Sequence, residues 1–243
     1  MPKLVFKKMS LFDNIDFIKS IFSERNEFLD IYTYTTQLFP ELADISNEDD
    51  INKKIEMVVT KYYNEKSSDI DNDVLRYNEV WKTYNDKFFK AISSYLNIEW
   101  PSSHDTIIVN VGIIPVCPRY LDDFSFSVHD GINDDFLVET CAHELCHFLW
   151  FEKWKELYPE CPKEEYESPY PAWEYSEMVV DPILNSADVS IVFDNKKIRY
   201  CYDSFYDTNP GLMNKLFDIY GSNISIEDRI KKGYELLINS KKR

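Results

Sequence analysis

The sequence predicts an α+β protein, predominantly helical, with one small antiparallel or mixed sheet. Three observations carry that expectation. Glycine is scarce, at 5 of 243 residues, while charged residues make up 29% of the chain; helices tolerate that balance better than a turn-rich β architecture does. Residues 106–116 are β-branched and bounded by proline and glycine, and residues 122–128 alternate apolar with polar, as short strands do. Residues 136–151 form an apolar run of helical length, which reads as one buried helix.

Residues 1–100 read as helical throughout. Leu11, Phe12, Ile15, Phe17, Ile18, Ile21 and Phe22 recur close to the i, i+3, i+4 pattern of an amphipathic helix. Asn47, followed by Glu48, Asp49 and Asp50, caps a second helix whose apolar face runs Ile51, Ile55, Val58, Val59 and Tyr62. A third is expected from about residue 68 to 96, with Val74, Leu75, Tyr77, Val80, Trp81, Tyr84, Phe88, Phe89, Ile92 and Tyr95 directed to the core. Beyond the strands, Asn133 is an N-cap, and Asp134 and Asp135 suit the first turn of the helix that ends near Leu157. Residues 158–171 form a charged loop, and Ser168–Pro169 reads as the start of a helix that Pro182 should kink or end. A short strand over 189–193 and helices over 210–220 and 225–238, the last capped by Ser225, complete the chain. A boundary near residue 100 divides a helical region, 1–100, from a motif-bearing region, 101–243, within what is expected to be one integrated unit.

Composition narrows the function. Hydrophobic content of 44% and aromatic content of 16% indicate a folded protein. A net charge of -16 argues against nucleic-acid binding and against an anionic membrane surface, both of which need clustered Lys and Arg. The five cysteines, an odd number, outline no disulfide framework. No secretory leader and no apolar stretch of about 18 residues is evident, so the expected location is the cytoplasm; the Asn, Lys, Ile and Tyr bias fits a low-GC bacterial source.

The helix over 136–151 contains His143-Glu144-Leu145-Cys146-His147, an H-E-x-x-H motif. Residues four apart share a helix face, so both imidazoles can point at one metal ion, with Glu144 beside them as a candidate general base. A catalytic zinc commonly takes a third protein ligand and keeps one position for water. Cys141 and Cys146 fit better as small core residues, and His104 and His129 as loop residues. The next helix offers Glu174, Glu177 and Asp181 on one face, among Trp173, Met178, Val179, Val180 and Ile183. Carboxylates in such apolar company need a partner, and a cation is an obvious one. On spacing alone Glu174 and Glu177 both remain candidates.

H-E-x-x-H followed on a second helix by Glu177-Met-Val-Val-Asp181, an E-x-x-x-D element 30 residues beyond His147, resembles the gluzincin metallopeptidases, the thermolysin-like group. The resemblance covers roughly residues 105–187. It implies a zincin-like fold, with the sheet packed on the H-E-x-x-H helix and on a glutamate helix. It implies Zn²⁺ held by His143, His147 and Glu177, with Asp181 accepting a hydrogen bond from His143. The implied activity is that of a zinc-dependent hydrolase, a small intracellular metallopeptidase acting on a peptide or protein substrate, with Glu144 as general base. The alternative is a metal-binding protein without turnover, a helical interaction or regulatory module; a structural site of that kind should be closed by a fourth side chain such as a cysteine. The chain departs from the thermolysin-like pattern in lacking Asn before Glu177 and Ser before Asp181, and no histidine follows His147. A transition-state donor would then be a tyrosine, with Tyr175, Tyr200, Tyr202 and Tyr206 as candidates.

Overall fold

Helices dominate the architecture, and one small mixed sheet accompanies them, in a computed structural model that describes residues 1–23, 30–43, 48–199 and 201–242. In chain order the elements are β1 (Lys3–Lys8), α1 (Leu11–Ser23), α2 (Ile31–Leu38), α3 (Glu48–Lys82), α4 (Asn85–Leu96), β2 (Thr106–Gly112), β3 (Arg119–Tyr120), β4 (Ser125–His129), α5 (Asp134–Leu157), α6 (Pro171–Leu184), α7 (Ala187–Ser190), α8 (Asp203–Thr208), α9 (Pro210–Tyr220) and α10 (Ile226–Lys241). They fall into two units, each drawn from separated stretches of chain. One comprises residues 3–82 and 106–137, the other residues 1–2, 83–105 and 138–243. Among the described residues no helix is long and apolar enough to cross a membrane.

The unit containing the sheet is organised by β2. The strand order is β1-β2-β4-β3, with β1 and β4 parallel to β2 and β3 antiparallel to β4. Side chains alternate across a strand, so the register Leu4–Ile107, Phe6–Val109 and Val109–Phe126 puts one buried apolar row across three strands. On its outer side β1 meets α3, where the Asn78 side chain donates to the Phe6 carbonyl and accepts from the Phe6 amide, both at 3.2 Å. A helix side chain thus occupies the edge where another strand would otherwise pair. Gly112 has a packing role: a Cβ there would lie 2.6 Å from Asn14 Oδ1, which accepts the Ile113 amide at 3.0 Å.

β1 corrects the reading of residues 1–100 as wholly helical. The six residues alternate Leu4 and Phe6 inward, too short a pattern to announce itself, and the partner that makes them a strand begins at Thr106. The two helices expected between residues 47 and 96 are divided elsewhere. α3 runs unbroken from Glu48 to Lys82 because neither glycine nor proline interrupts it, and the break falls at Thr83–Tyr84, before α4. The expected cap at Asn47 lies outside the described residues. The Asn133 cap is present, its Oδ1 accepting the Phe136 amide at 2.9 Å.

In the second unit, residues 141–151 of α5 are buried on every face, the signature of a helix inside a core rather than on its surface. Aromatic contacts surround it. Trp150 stacks on Trp154 at 5.0 Å, Tyr175 of α6 meets Trp150 edge-on at 5.6 Å, and Tyr234 of α10 meets Trp154 at 4.9 Å; such pairs add about 0.5–1.5 kcal/mol each beyond their buried area. α6 is buried from Ala172 to Leu184 except at Glu174, which is half-buried. Its Tyr175 hydroxyl lies 3.0 Å from the Tyr220 hydroxyl of α9 and donates to the Ile230 carbonyl of α10 at 3.0 Å. Ser225 caps α10 as expected, accepting the Asp228 amide at 3.1 Å.

Three local expectations change here. Pro171, not Pro169, opens α6, and Pro182 lets the helix continue two residues further, to Leu184. The strand expected over 189–193 is instead helical, as α7 and a 3₁₀ turn at Ile191–Phe193. Its apolar residues fill a gap against α4, with Phe193 6.0 Å from both the Tyr84 and Phe88 rings. α8 had no strong periodic signal.

Candidate metal centre

The site is built from α5 and α6. Its first two members are His143 and His147, one turn apart on α5, 5% and 0% exposed. Their Nε2 atoms face each other at 2.9 Å. From α6, the Glu177 carboxylate reaches both rings, Oε2 lying 3.3 Å from His143 Nε2 and Oε1 3.4 Å from His147 Nε2. Glu177 is 2% exposed. Among the described residues this is the one group of three or more His, Cys, Asp or Glu side chains with ligand atoms within 4.8 Å of one another and able to hold a metal ion.

The distances allow a test of fit. A charged N–H···O⁻ hydrogen bond is typically about 2.7–2.9 Å long. Ligands bound about 2.0–2.1 Å from a common tetrahedral centre lie about 3.3–3.4 Å from one another. The two histidine–carboxylate separations, 3.3 and 3.4 Å, match the second figure. The 2.9 Å histidine–histidine edge is tighter and corresponds to an angle of about 90° at a centre of that radius. Burial supplies a second argument: a carboxylate shut away from water is costly unless positive charge compensates it, and a divalent cation between three donors does so. Two imidazoles and one carboxylate suit zinc and several other transition ions equally as donor types.

The remaining candidates are distributed as follows. Glu174 lies one turn before Glu177 but pairs with Lys241 of α10, which separates the two glutamates the spacing left open. Glu144, between the histidines in sequence, is 4% exposed. Asp181, fully buried one turn beyond Glu177, accepts the Cys201 amide at Oδ1, 3.1 Å, and the Tyr206 hydroxyl at Oδ2, 2.6 Å. Cys146 is fully buried, and burial, then the Glu177 and Asp181 carboxylates, push its thiol far above its ordinary range. It packs as a small core residue, and Cys141 is likewise fully buried. Neither belongs to the converging group. His104 pairs with Ser103, and His129 sits beside Asp130.

Of the tyrosines, Tyr175 is committed to α9 and α10, Tyr202 packs against Trp173 and Phe205, and Tyr206 donates to Asp181. Tyr200 lies outside the described residues. Spacing gave no route to the Tyr206–Asp181 bond, which spans 25 residues. Comparison of the chain with protein-family models, curated proteins and solved structures finds no match.

Proposed function

We propose that this chain is a zinc-dependent hydrolase, and specifically a small peptidase of the gluzincin kind. The observation that carries the reading is the convergence of His143, His147 and Glu177 at edge lengths suited to one tetrahedral ion. These three residues would hold the metal, which when bound acidifies a water and polarises a carbonyl. The chain's own groups do the rest. Residues 141–151 of α5 are buried on every face, so the two imidazoles present Nε2 with little reorganisation. Glu144, rooted on the same turn, takes a proton from the attacking water and delivers it to the departing amine nitrogen. Among the described residues no fourth His, Cys, Asp or Glu completes the group, as an open catalytic position requires and a closed structural site does not.

The test uses the purified zinc-loaded chain, a mixture of unstructured peptides, and mass spectrometry to find new termini. The wild-type chain is expected to cleave peptide bonds. Glu144→Gln is expected to keep its metal and lose about 10²–10⁴-fold in rate, the usual worth of a positioned general base. Cleavage at wild-type rate by that variant would remove Glu144 from the chemistry. A zinc-loaded wild-type chain that cleaves no peptide would favour a metal-binding module without turnover.

A further inference from the structure

We propose that Tyr206 is a positioning residue for the metal group, acting through Asp181 on the turn of α6 that carries Glu177. The inference rests on the metal-site reading above. Glu177 and Asp181 are four residues apart on α6, so fixing one sets the rotation of the other's turn. That turn needs outside support. Pro182 has no amide hydrogen, and the Met178 carbonyl therefore lacks its usual helical donor, between the two acidic residues.

Ile198, Cys201 and Tyr206 supply the support. Asn185, just past the end of α6, donates to the Asp181 carbonyl at 2.8 Å and the Ile198 carbonyl at 2.6 Å, and accepts the Ile198 amide at 2.9 Å. The Cys201 amide and the Tyr206 hydroxyl then close on the Asp181 carboxylate at 3.1 and 2.6 Å. The second distance falls in the short class of O–H···O⁻ bonds, roughly twice as strong as neutral ones. Burial, then the Asp181 carboxylate, hold the Tyr206 hydroxyl far above its ordinary range, so it keeps its proton and donates. Its ring face is covered by the Arg199 guanidinium, 4.3 Å from the ring centre and paired with Asp203 at 2.9 Å. Tyr206 is thus braced on its ring face, and its hydroxyl is aimed at a buried carboxylate. The arrangement transmits the position of α8 to the metal ligand one turn away.

The experiment is a double-mutant cycle on metal affinity. Zn²⁺ dissociation constants are measured by competition with a chromophoric chelator for wild type, Tyr206→Phe, Asp181→Asn and the double variant, and Co²⁺ absorption spectra report ligand geometry. Tyr206→Phe keeps the ring and the Arg199 contact and removes only the hydroxyl. It is expected to weaken binding about tenfold, the lower end for outer partners of metal ligands, and to alter the Co²⁺ spectrum. Because Tyr206 acts through Asp181, the same change in the Asp181→Asn background should cost nothing further. Tyr202→Phe, the control, should match wild type. Unchanged affinity and spectrum in Tyr206→Phe, or equal fold losses in both backgrounds, overturn the positioning role and leave the metal site standing. A wild-type chain that binds no Zn²⁺ overturns both.

Discussion

Gly233 of α10 offers a sharp test of what holds α6 in place. A Cβ there would lie 2.1 Å from the Tyr175 hydroxyl oxygen and 3.0 Å from Cζ of the same ring. Helix propensity alone favours Gly233→Ala by about 1 kcal/mol. Against that gain, Tyr175 is fully buried, and its hydroxyl is held by two hydrogen bonds. Overpacking of this kind costs about 1–3 kcal/mol. Displacing the hydroxyl from Tyr220 and the Ile230 carbonyl, each at 3.0 Å, adds about 1–3 kcal/mol for a buried group left unsatisfied. The net is a destabilisation of about 1–5 kcal/mol; a mid-range loss lowers the melting temperature by about 6–12 °C for a chain of this size. Gly211 in α9 is the counter-case, because nothing lies within 4 Å of its added Cβ, and Gly211→Ala should gain about 0.4–1 kcal/mol. The assay is thermal melting followed by circular dichroism, with Tyr175→Phe added to Gly233→Ala as a partial rescue that removes the clashing oxygen. A Gly233→Ala chain at least as stable as wild type would refute the argument that this close approach fixes α6.

Two carboxylates should respond to pH with opposite signs. The hydrogen bond from Lys153 holds Glu227 below its ordinary carboxyl range, so its contribution is present above that range and is lost as pH falls through the depressed value; the stability deficit of Glu227→Gln should be full at pH 7 and shrink as pH falls below the ordinary carboxyl range. Burial raises Asp130, outweighing His129 and Lys66, so its ionised form opposes folding above the ordinary carboxyl range; Asp130→Asn should melt higher than wild type at pH 7, with the advantage vanishing by about pH 3. Melting curves across that window check both.

What the sequence made legible was whatever rests on local periodicity or on a fixed offset along a helix. The buried helix through His143 and His147 and its Asn133 cap were readable because their determinants lie within one turn or one apolar run. Spacing narrowed the third acidic member to two residues on one face, and only tertiary partners separated them: Lys241 engages Glu174, while Glu177 meets the imidazoles. β1 was illegible because its strand character comes from pairing with residues 106–111. Residues 189–193 misled because a short β-branched run suits either a buried strand or a buried turn, and contact with α4 decides. Tyr206 was one of four tyrosines with nothing in sequence to rank them; its role comes from a bond 25 residues distant.

α5 and α6 are expected to grip one divalent ion through His143, His147 and Glu177. Metal content after exhaustive dialysis, measured by mass spectrometry of the elements, tests it most directly. About one zinc per chain is expected in wild type and in Glu174→Ala, and almost none in Glu177→Ala. A wild-type chain without metal, or a Glu177→Ala chain that retains its full complement, would contradict it.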